Sequence, residues 1–254
     1  MSDLTRQILD KLPRESLHNA RNVTKADVYL IEWEGQKLVV KDIAKRGIFG
    51  RLTISGWLLQ REIKALEYLT LKNQLAGVPK LAATGLNFFA MEFASGIQLK
   101  KFKPGEIGPE PLVALEKIIE SAHAIGVAHG DLHRENVIVG ENGEVSVIDW
   151  ATASVFGRNS ALLGDRRSGM KNVTWREWCA LDSRGLAKIK SRYVPKLLTD
   201  DEVWILENGG SPMYRRIRES GFRLRRLFGN KKSQSMQRGV KRYSKMAKER
   251  DETP

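Results

Sequence analysis

HGDLHRENVIVGENGEVSVIDW, residues 129–150, holds the pattern that decides the fold of this chain. Asp131 lies five residues before Asn136, and a short apolar strand ends on Asp149. Polar side chains of this kind cost folding free energy wherever they are partly buried without partners. We therefore expect a bound group to compensate these three residues.

The size and composition of the chain indicate a packed protein without disulfides. With 254 residues, 41% of them hydrophobic, the chain is long enough for one large domain or for two lobes. Its single cysteine, Cys179, excludes an intrachain disulfide and fits a reducing compartment. The N-terminus lacks the long apolar core of a signal peptide, and no apolar run reaches the roughly 18 residues that span a bilayer. We expect a soluble, cytoplasmic protein.

Positive charge is concentrated near the C-terminal end. The net charge is +13, and residues 213–250 contain 14 Lys or Arg residues against two acids. This basic tail favours an anionic partner: a membrane leaflet, an acidic glycolipid or, less favoured, a nucleic acid. A membrane partner would place the protein peripherally on the inner leaflet of the cytoplasmic membrane. The alternative is a solvated tail that aids solubility.

Residues 1–95 predict a small β-rich lobe. MSDLTRQILDKLPRESL is typical of a short amphipathic helix. DVYLIEW and QKLVVKD flank Glu34-Gly35 and predict a hairpin, and KLAATGL with NFFAMEF predicts a second strand pair. Between the pairs, WLLQREIKALEYLTL places Leu59, Ile63, Leu66 and Leu69 on one helical face.

The remainder of the chain predicts a mainly helical lobe, so the fold class is α+β. Glycines and prolines over residues 96–111 indicate a connector. PLVALEKIIESAHAIG and REWCALDSRGLAKIKSRY are typical of helices, with two short strands, VIV and VSVID, between them. The helical lobe, with the stretch quoted first, spans residues 112–208, and residues 209–254 form a helical or disordered basic tail.

The residue types of the quoted stretch suit phosphate and metal chemistry. An Asp on a loop between a helix and a hairpin can accept a proton from a hydroxyl, which makes Asp131 a candidate base. Asn136 and Asp149 offer oxygen atoms from the same loop and from the end of the next strand. A few oxygen ligands that leave room for phosphate suit Mg²⁺.

HGDLHRENVIV followed by SVIDW resembles the catalytic loop and metal-binding strand of the protein-kinase-like superfamily. The resemblance covers about residues 21–200 and implies a bilobal kinase-like fold with ATP and Mg²⁺ as cofactors. It also implies roles: Asp131 as the catalytic base, Asn136 and Asp149 as metal ligands, and His129 as the structural histidine of the loop.

A kinase also needs a strand lysine that binds the α- and β-phosphates and a helix glutamate that holds it. Lys41 in LVVKD and Glu62 in QREIKALEYL meet both requirements in the right order. The alternatives are an edge-strand charge facing water for Lys41 and an ordinary surface residue for Glu62, with Glu67 as a competitor.

The nucleotide-binding loop departs from mainstream protein kinases, because no G-x-G-x-x-G precedes the strand lysine. TKADVYL instead resembles the loop of RIO-type atypical kinases and of bacterial lipopolysaccharide-core kinases. By this resemblance Thr24 and Lys25 contact the phosphates. The backbone of Glu92, Phe93 and Ala94 would bind adenine.

His133 is a second departure, because Ser/Thr kinases have a lysine two residues after the catalytic aspartate. HGDLH and VIDW resemble aminoglycoside and choline phosphotransferases and the lipopolysaccharide kinases instead. No A-P-E signature is present for docking a peptide. The resemblance therefore implies a small-molecule or glycolipid acceptor.

Four further positions received weaker interpretations. Asp182 opens the helix DSRGLAKIKSRY and either anchors the catalytic loop, as a helix aspartate does in kinases, or serves as an N-terminal helix charge. Trp175 and Trp178 are interpreted as packing residues and His123 as a packed or surface histidine.

The leading hypothesis is an ATP- and Mg-dependent kinase that phosphorylates a sugar hydroxyl of a lipopolysaccharide-core-type glycolipid. Asp131, Lys41 and Glu62 would form its catalytic set. One alternative is a RIO-like serine protein kinase whose basic tail binds RNA or a ribonucleoprotein. Another is a catalytically inactive kinase-fold binding module, which would have no need to retain the complete set.

Overall fold

The computed structural model describes residues 4–18, 26–46, 54–157 and 170–209. The chain divides into two compact units. The first unit comprises residues 1–97 and 137–155, and the second unit comprises residues 98–136 and 156–254. Strands dominate the described part of the first unit and helices that of the second, which confirms the predicted α+β class.

The first unit contains a five-stranded antiparallel sheet with the order β1-β2-β3-β5-β4. Its strands are β1 Glu15–His18, β2 Asp27–Trp33, β3 Gln36–Asp42, β4 Leu81–Thr84 and β5 Phe88–Glu92. The predicted hairpin of β2 and β3 turns at Glu34 and Gly35, which both have positive φ, as a tight hairpin turn requires. On β3, Lys41 pairs with Val28 on one side and Phe89 on the other, so the sheet fixes its position.

One sheet face is covered by the N-terminal segment. Leu4 and Leu9 are buried against β2, β3 and β5, and α1 covers Arg6–Leu9. The predicted helix extended to Leu17, but the helix ends early and β1 follows instead. The physical reason is Pro13, which cannot continue a helix and favours extended backbone in the residue before it.

Helix α2, Ile54–Leu66, continues into a π-helical turn, Glu67–Lys72. The four apolar residues of the predicted helical face are all buried: Leu59, Ile63, Leu66 and Leu69. Burial of a side chain of this size stabilises the fold by about 2 kcal/mol. The apolar face therefore fixes the rotation of α2 and, with it, the direction of Glu62.

The strands β8, Val137–Val139, and β9, Val145–Val147, form the short hairpin predicted after the catalytic loop. The sequence placed this hairpin in the helical lobe, whereas it packs within the first unit. The Val147 N–H donates to the Gly77 carbonyl at 2.8 Å, and Trp150 is fully buried. These contacts to distant parts of the chain explain the difference.

The second unit is built on helices. They are α3 Glu110–Ala124, α4 Met170–Tyr193 and α5 Asp200–Asn208. The short strand β6, Ile97–Gln98, crosses the division between the units, β7 covers Val127–Ala128, and β10 covers Ser154–Val155. As predicted, α3 ends just before a glycine, and Gly126 has a φ of +81°.

A buried lysine ties the helices of the second unit together. The Lys190 Nζ of α4 lies 2.6 Å from Glu116 Oε1 of α3 and 2.9 Å from Glu202 Oε1 of α5. Glu202 also forms a reciprocal cap with Thr199 at the start of α5. Lys190 is only 2% exposed, so its charge depends on these two carboxylates.

The basic tail beyond residue 209 lies outside the described residues, and its structure stays a prediction. The bounds of the four predicted segments also stay predictions. Within the described ranges, no helix is both long and apolar enough to cross a membrane.

We predict that Lys190→Met lowers the free energy of unfolding by about 3 kcal/mol, because it leaves the buried Glu202 and the partly buried Glu116 without a cation. Urea unfolding followed by circular dichroism measures this. The matched control is Lys196→Met, which removes an exposed lysine of the same unit and should change stability by less than about 0.5 kcal/mol. Equal losses in the two variants would contradict the prediction.

Candidate active site

Lys41 lies between two carboxylates of the first unit. Its Nζ is 2.7 Å from Glu62 Oε1, 2.8 Å from Glu62 Oε2 and 2.9 Å from Asp149 Oδ1. The Lys41 side chain is 15% exposed and that of Glu62 is 2% exposed. The structure therefore brings together three residues that the sequence spreads over 108 positions.

The two carboxylates keep Lys41 charged. Burial alone would lower the pKa of Lys41, but the charges of Glu62 and Asp149 outweigh burial and raise the pKa above its ordinary value. Lys41 is thus a fixed positive charge on a rigid central strand. A kinase lysine has this property because it must bind phosphate oxygens in one place.

Asp149 has an unusual backbone conformation. Its φ of +64° and ψ of +65° are left-handed, which is rare for a residue other than glycine and is often found at functional sites. The side chain is 48% exposed, although Lys41 holds one of its oxygens. Asp149 therefore still presents carboxylate oxygen to solvent.

Two neighbours fix the segment after Asp149. The Trp150 Nε1 donates to the Val147 carbonyl at 2.9 Å. The Arg61 Nη2 donates to the carbonyls of Thr152 at 3.0 Å and Ala153 at 2.7 Å. Sequence reasoning missed Arg61, since its position beside Glu62 is the only signal that it gives. Arg61 thus fixes the segment that follows Asp149. Its neighbour Glu62 fixes Lys41, the charge that Asp149 contacts.

In the second unit, Asp182 anchors the loop that the sequence predicts to be catalytic. Its carboxylate accepts from the backbone N–H of His129 at 2.7 Å and of Gly130 at 2.8 Å, and lies 2.9 Å from His123 Nε2. Asp182 is fully buried in the middle of α4, so its interpretation as an N-terminal helix charge is wrong. His123, interpreted only as packed or surface, is a partner of this carboxylate.

The loop presents Asp131 to solvent. The Asp131 side chain is 58% exposed, with the His133 Nε2 3.6 Å from its Oδ2. Its backbone N–H donates to the Nδ1 of the buried His129 at 3.3 Å. The Asn136 amide nitrogen donates to the Asp131 carbonyl at 3.1 Å, and the Oδ1 of the same amide is its acceptor atom. The loop thus offers one carboxylate and one amide oxygen to a ligand.

The two residues predicted as metal ligands carry oxygen atoms of the kinds that Mg²⁺ binds. Asn136 has an amide oxygen and Asp149 has a carboxylate. Mg²⁺ sites that take phosphates use one or two such protein ligands and fill the other positions with water and phosphate oxygens. Among the described residues, no group of three or more His, Cys, Asp or Glu side chains forms a metal cage.

The predicted adenine-binding backbone is partly engaged already. The N–H of Glu92 donates to the Lys80 carbonyl at 2.9 Å, and the N–H of Phe93 donates to the Lys37 carbonyl at 3.0 Å. Of the three predicted hinge residues, Ala94 is therefore the one whose backbone N–H has no such bond among the described residues. That N–H could bind adenine. Thr24 and Lys25 of the predicted phosphate loop lie outside the described residues.

The other singled-out residues are structural. Trp175 is buried and makes edge contacts with His123 and Phe156, in agreement with its interpretation as a packing residue. Burial raises the pKa of the Cys179 thiol to about 12, which makes this cysteine a poor nucleophile.

Part of the chain is similar to a known family of domains. Residues 38–162, slightly less than half of the chain, match the family model of the RIO domain, a protein-kinase-like family. This confirms the predicted resemblance to the RIO-type branch of the kinase-like superfamily, and it indicates a kinase-like phosphotransferase. The matched range includes Lys41, Glu62 and the whole stretch quoted first.

One curated relative is an uncharacterized protein of Dictyostelium discoideum. It is 25% identical over 96 residues, which make up 38% of this chain and 10% of that protein. The chain thus matches about a tenth of the length of this relative.

We predict that Lys41→Met lowers the free energy of unfolding by about 3 kcal/mol at neutral pH, because the buried Glu62 loses its cation. Burial already raises the pKa of Glu62, and loss of Lys41 raises it further. The Glu62 carboxyl is then neutral in the folded variant at low pH, so the loss of unfolding free energy should be small below the ordinary pKa of Glu62. The loss should grow as the pH rises towards the raised pKa of Glu62 in the folded variant.

Urea unfolding at several pH values measures this dependence. Lys37→Met, which removes an exposed lysine of the same strand, is the control. Glu62→Gln added to Lys41→Met should recover part of the stability at neutral pH. A loss in Lys41→Met that does not change with pH would contradict the prediction.

Proposed function

We propose that this chain, whose residues 38–162 match the RIO domain, is an ATP-dependent phosphotransferase that acts on an acceptor hydroxyl. The observation that carries the proposal is the Lys41 ammonium, held at 2.7 Å by Glu62 and at 2.9 Å by Asp149. A strand lysine on a helix glutamate and a metal-binding aspartate is the arrangement that phosphoryl transfer requires.

In this proposal, Lys41 binds the α- and β-phosphates of ATP. Phosphate oxygens compete with Asp149 for the ammonium, which frees Asp149 to serve as an oxygen ligand. Asn136 and Asp149 would hold Mg²⁺, which neutralises phosphate charge when bound. Glu62 stays buried and keeps Lys41 in place throughout.

Asp131 orients the acceptor hydroxyl and takes its proton as the acceptor oxygen attacks the γ-phosphorus. Its exposed carboxylate can meet an acceptor, while Asp182 fixes the loop backbone through two N–H groups. Transfer is direct and in line, without a covalent enzyme intermediate. The rate enhancement then comes from positioning and electrostatic stabilisation.

A serine hydroxyl of a protein is the acceptor that the RIO match supports best. A sugar hydroxyl of a lipopolysaccharide-core-type glycolipid is the second candidate, and two observations favour it. His133 stands where Ser/Thr kinases have a lysine, and residues 213–250 carry a strong positive charge. Contacts of that segment with an anionic leaflet, at about 1 kcal/mol per Lys or Arg, would place the enzyme on the cytoplasmic membrane surface.

A binding module without activity is less well supported. Such a module has no need of a buried Lys41–Glu62 pair, which costs desolvation free energy and contributes little net stability. Nor does it need an exposed Asp131 on a loop whose backbone is anchored by a buried carboxylate.

We predict that Asp131→Ala lowers phosphate transfer from Mg-ATP by at least about 100-fold, because the acceptor hydroxyl loses its base. Affinity for Mg-ATP should stay within about threefold of the wild type, since the carboxylate acts on the acceptor. Asp201→Ala, which removes an exposed aspartate at the start of α5, is the control.

The measurement uses γ-labelled ATP and an extract of the native host, divided afterwards into protein and lipid-saccharide fractions. Asp131-dependent label in protein supports the serine acceptor, and label in the lipid-saccharide fraction supports the glycolipid. Nucleotide binding without any Asp131-dependent label, including label released as inorganic phosphate, would leave the binding module as the better explanation.

A further inference from the structure

Arg61 of α2 binds the backbone that follows Asp149. Its Nη2 donates to the carbonyls of Thr152 at 3.0 Å and Ala153 at 2.7 Å, and it lies 3.4 Å from the hydroxyl oxygen of Ser154. All of these residues belong to the first unit. One side chain of α2 thus holds two consecutive carbonyls that lie a few residues after Asp149 in the chain.

An aromatic ring also contacts the guanidinium of Arg61. The central carbon of the guanidinium lies 4.4 Å from the centroid of the Trp57 ring, one turn earlier on α2. The Trp57 side chain is 57% exposed, so the ring lies at the surface. The contact restricts the guanidinium, and its hydrogen bonds to the two carbonyls therefore cost less conformational entropy.

The backbone of Asp149 needs support from its neighbours. Its φ of +64° and ψ of +65° are unfavourable for any residue except glycine, because the Cβ comes close to the following carbonyl oxygen. Such a conformation persists only where the surrounding structure holds the chain in place. Before Asp149, the Val147 N–H donates to the Gly77 carbonyl at 2.8 Å. After Asp149, the buried Trp150 ring and the contacts of Arg61 hold the chain.

The left-handed conformation decides where the Asp149 carboxylate lies. Its Oδ1 is 2.9 Å from the Lys41 Nζ, and the side chain is 48% exposed. A return to the ordinary helical or extended region would change φ by more than about 100°. That rotation would move the carboxylate away from its place beside Lys41, whereas a metal ligand has to be held within about 0.5 Å of its position.

We propose that Arg61 is a positioning residue for metal binding, which holds Asp149 in its left-handed conformation and so keeps the carboxylate in place for Mg²⁺. The inference rests on the proposed function, in which Asp149 is a metal ligand. Glu62, the next residue of α2, holds Lys41. A single turn of α2 therefore sets the position of both the phosphate-binding cation and the metal-binding carboxylate.

The test compares the affinity for ATP in Mg²⁺ with the affinity for ATP in EDTA, and we call the ratio of the two the Mg²⁺ gain. Arg61→Met should lower the Mg²⁺ gain about 10-fold, as is usual when a residue that supports a metal ligand is lost. Its affinity for ATP in EDTA should stay within about threefold of the wild type, since Lys41 and Glu62 are unchanged. Lys64→Met, which removes an exposed cation of the same helix, should match the wild type in both measurements.

A double variant separates a positioning role from a general effect on the fold. Asp149→Ala should lower the Mg²⁺ gain at least as much as Arg61→Met does. Arg61→Met added to Asp149→Ala should lower the Mg²⁺ gain no further, because Arg61 acts through Asp149. Arg61→Lys should recover part of the gain that Arg61→Met loses, since its ammonium can donate to the same carbonyls.

Several outcomes would overturn the inference. If Arg61→Met keeps the whole Mg²⁺ gain while Asp149→Ala loses it, this inference alone fails. Equal losses of ATP affinity in Mg²⁺ and in EDTA would show a general effect of Arg61 on the fold, which circular dichroism would also reveal. Additive losses in the double variant would show that Arg61 does not act through Asp149. If Asp149→Ala itself keeps the Mg²⁺ gain, Asp149 is no metal ligand, and that part of the proposed function fails together with the inference.

Discussion

The ion pair of Lys41 with Glu62 is the constraint on which the first unit depends. A lysine on a central strand can stay charged only if a carboxylate reaches it, so α2 must pack with Glu62 facing the sheet. The apolar residues of α2 produce this rotation, and Arg61 then reaches the segment after Asp149. The position of α2, the charge of Lys41 and the placement of Asp149 therefore depend on one another.

The second unit uses a buried carboxylate in a different way. The partners of Asp182 that the described residues provide are two backbone N–H groups, those of His129 and Gly130, and His123. Hydrogen bonds to a buried carboxylate are stronger than neutral ones, so the loop backbone is held while Asp131 stays exposed. A rigid backbone under an exposed side chain is suited to a residue that must meet an acceptor.

The RIO match and the geometry bear on different questions. The match covers residues 38–162 and indicates a kinase-like phosphotransferase, without specifying the acceptor. The geometry shows how individual residues are held: Arg61 holds the segment after Asp149, and Asp182 holds the backbone of His129 and Gly130. The acceptor therefore has to be decided by the residues around Asp131 and by experiment.

The sequence by itself determined the α+β class, the β2–β3 hairpin and the apolar face of α2, because local periodicity and spacing express these features directly. Lys41 and Glu62 were chosen because the resemblance to kinases requires a strand lysine and a helix glutamate. The sequence did not determine that Pro13 is followed by strand β1, that the hairpin of β8 and β9 packs in the first unit, or that Asp182 lies in the middle of a helix. It also gave no signal for Arg61, whose side chain reaches Thr152 and Ala153 about 90 positions later in the chain. Only the tertiary structure decided these points, because contacts between residues far apart in the chain leave no periodic pattern along it.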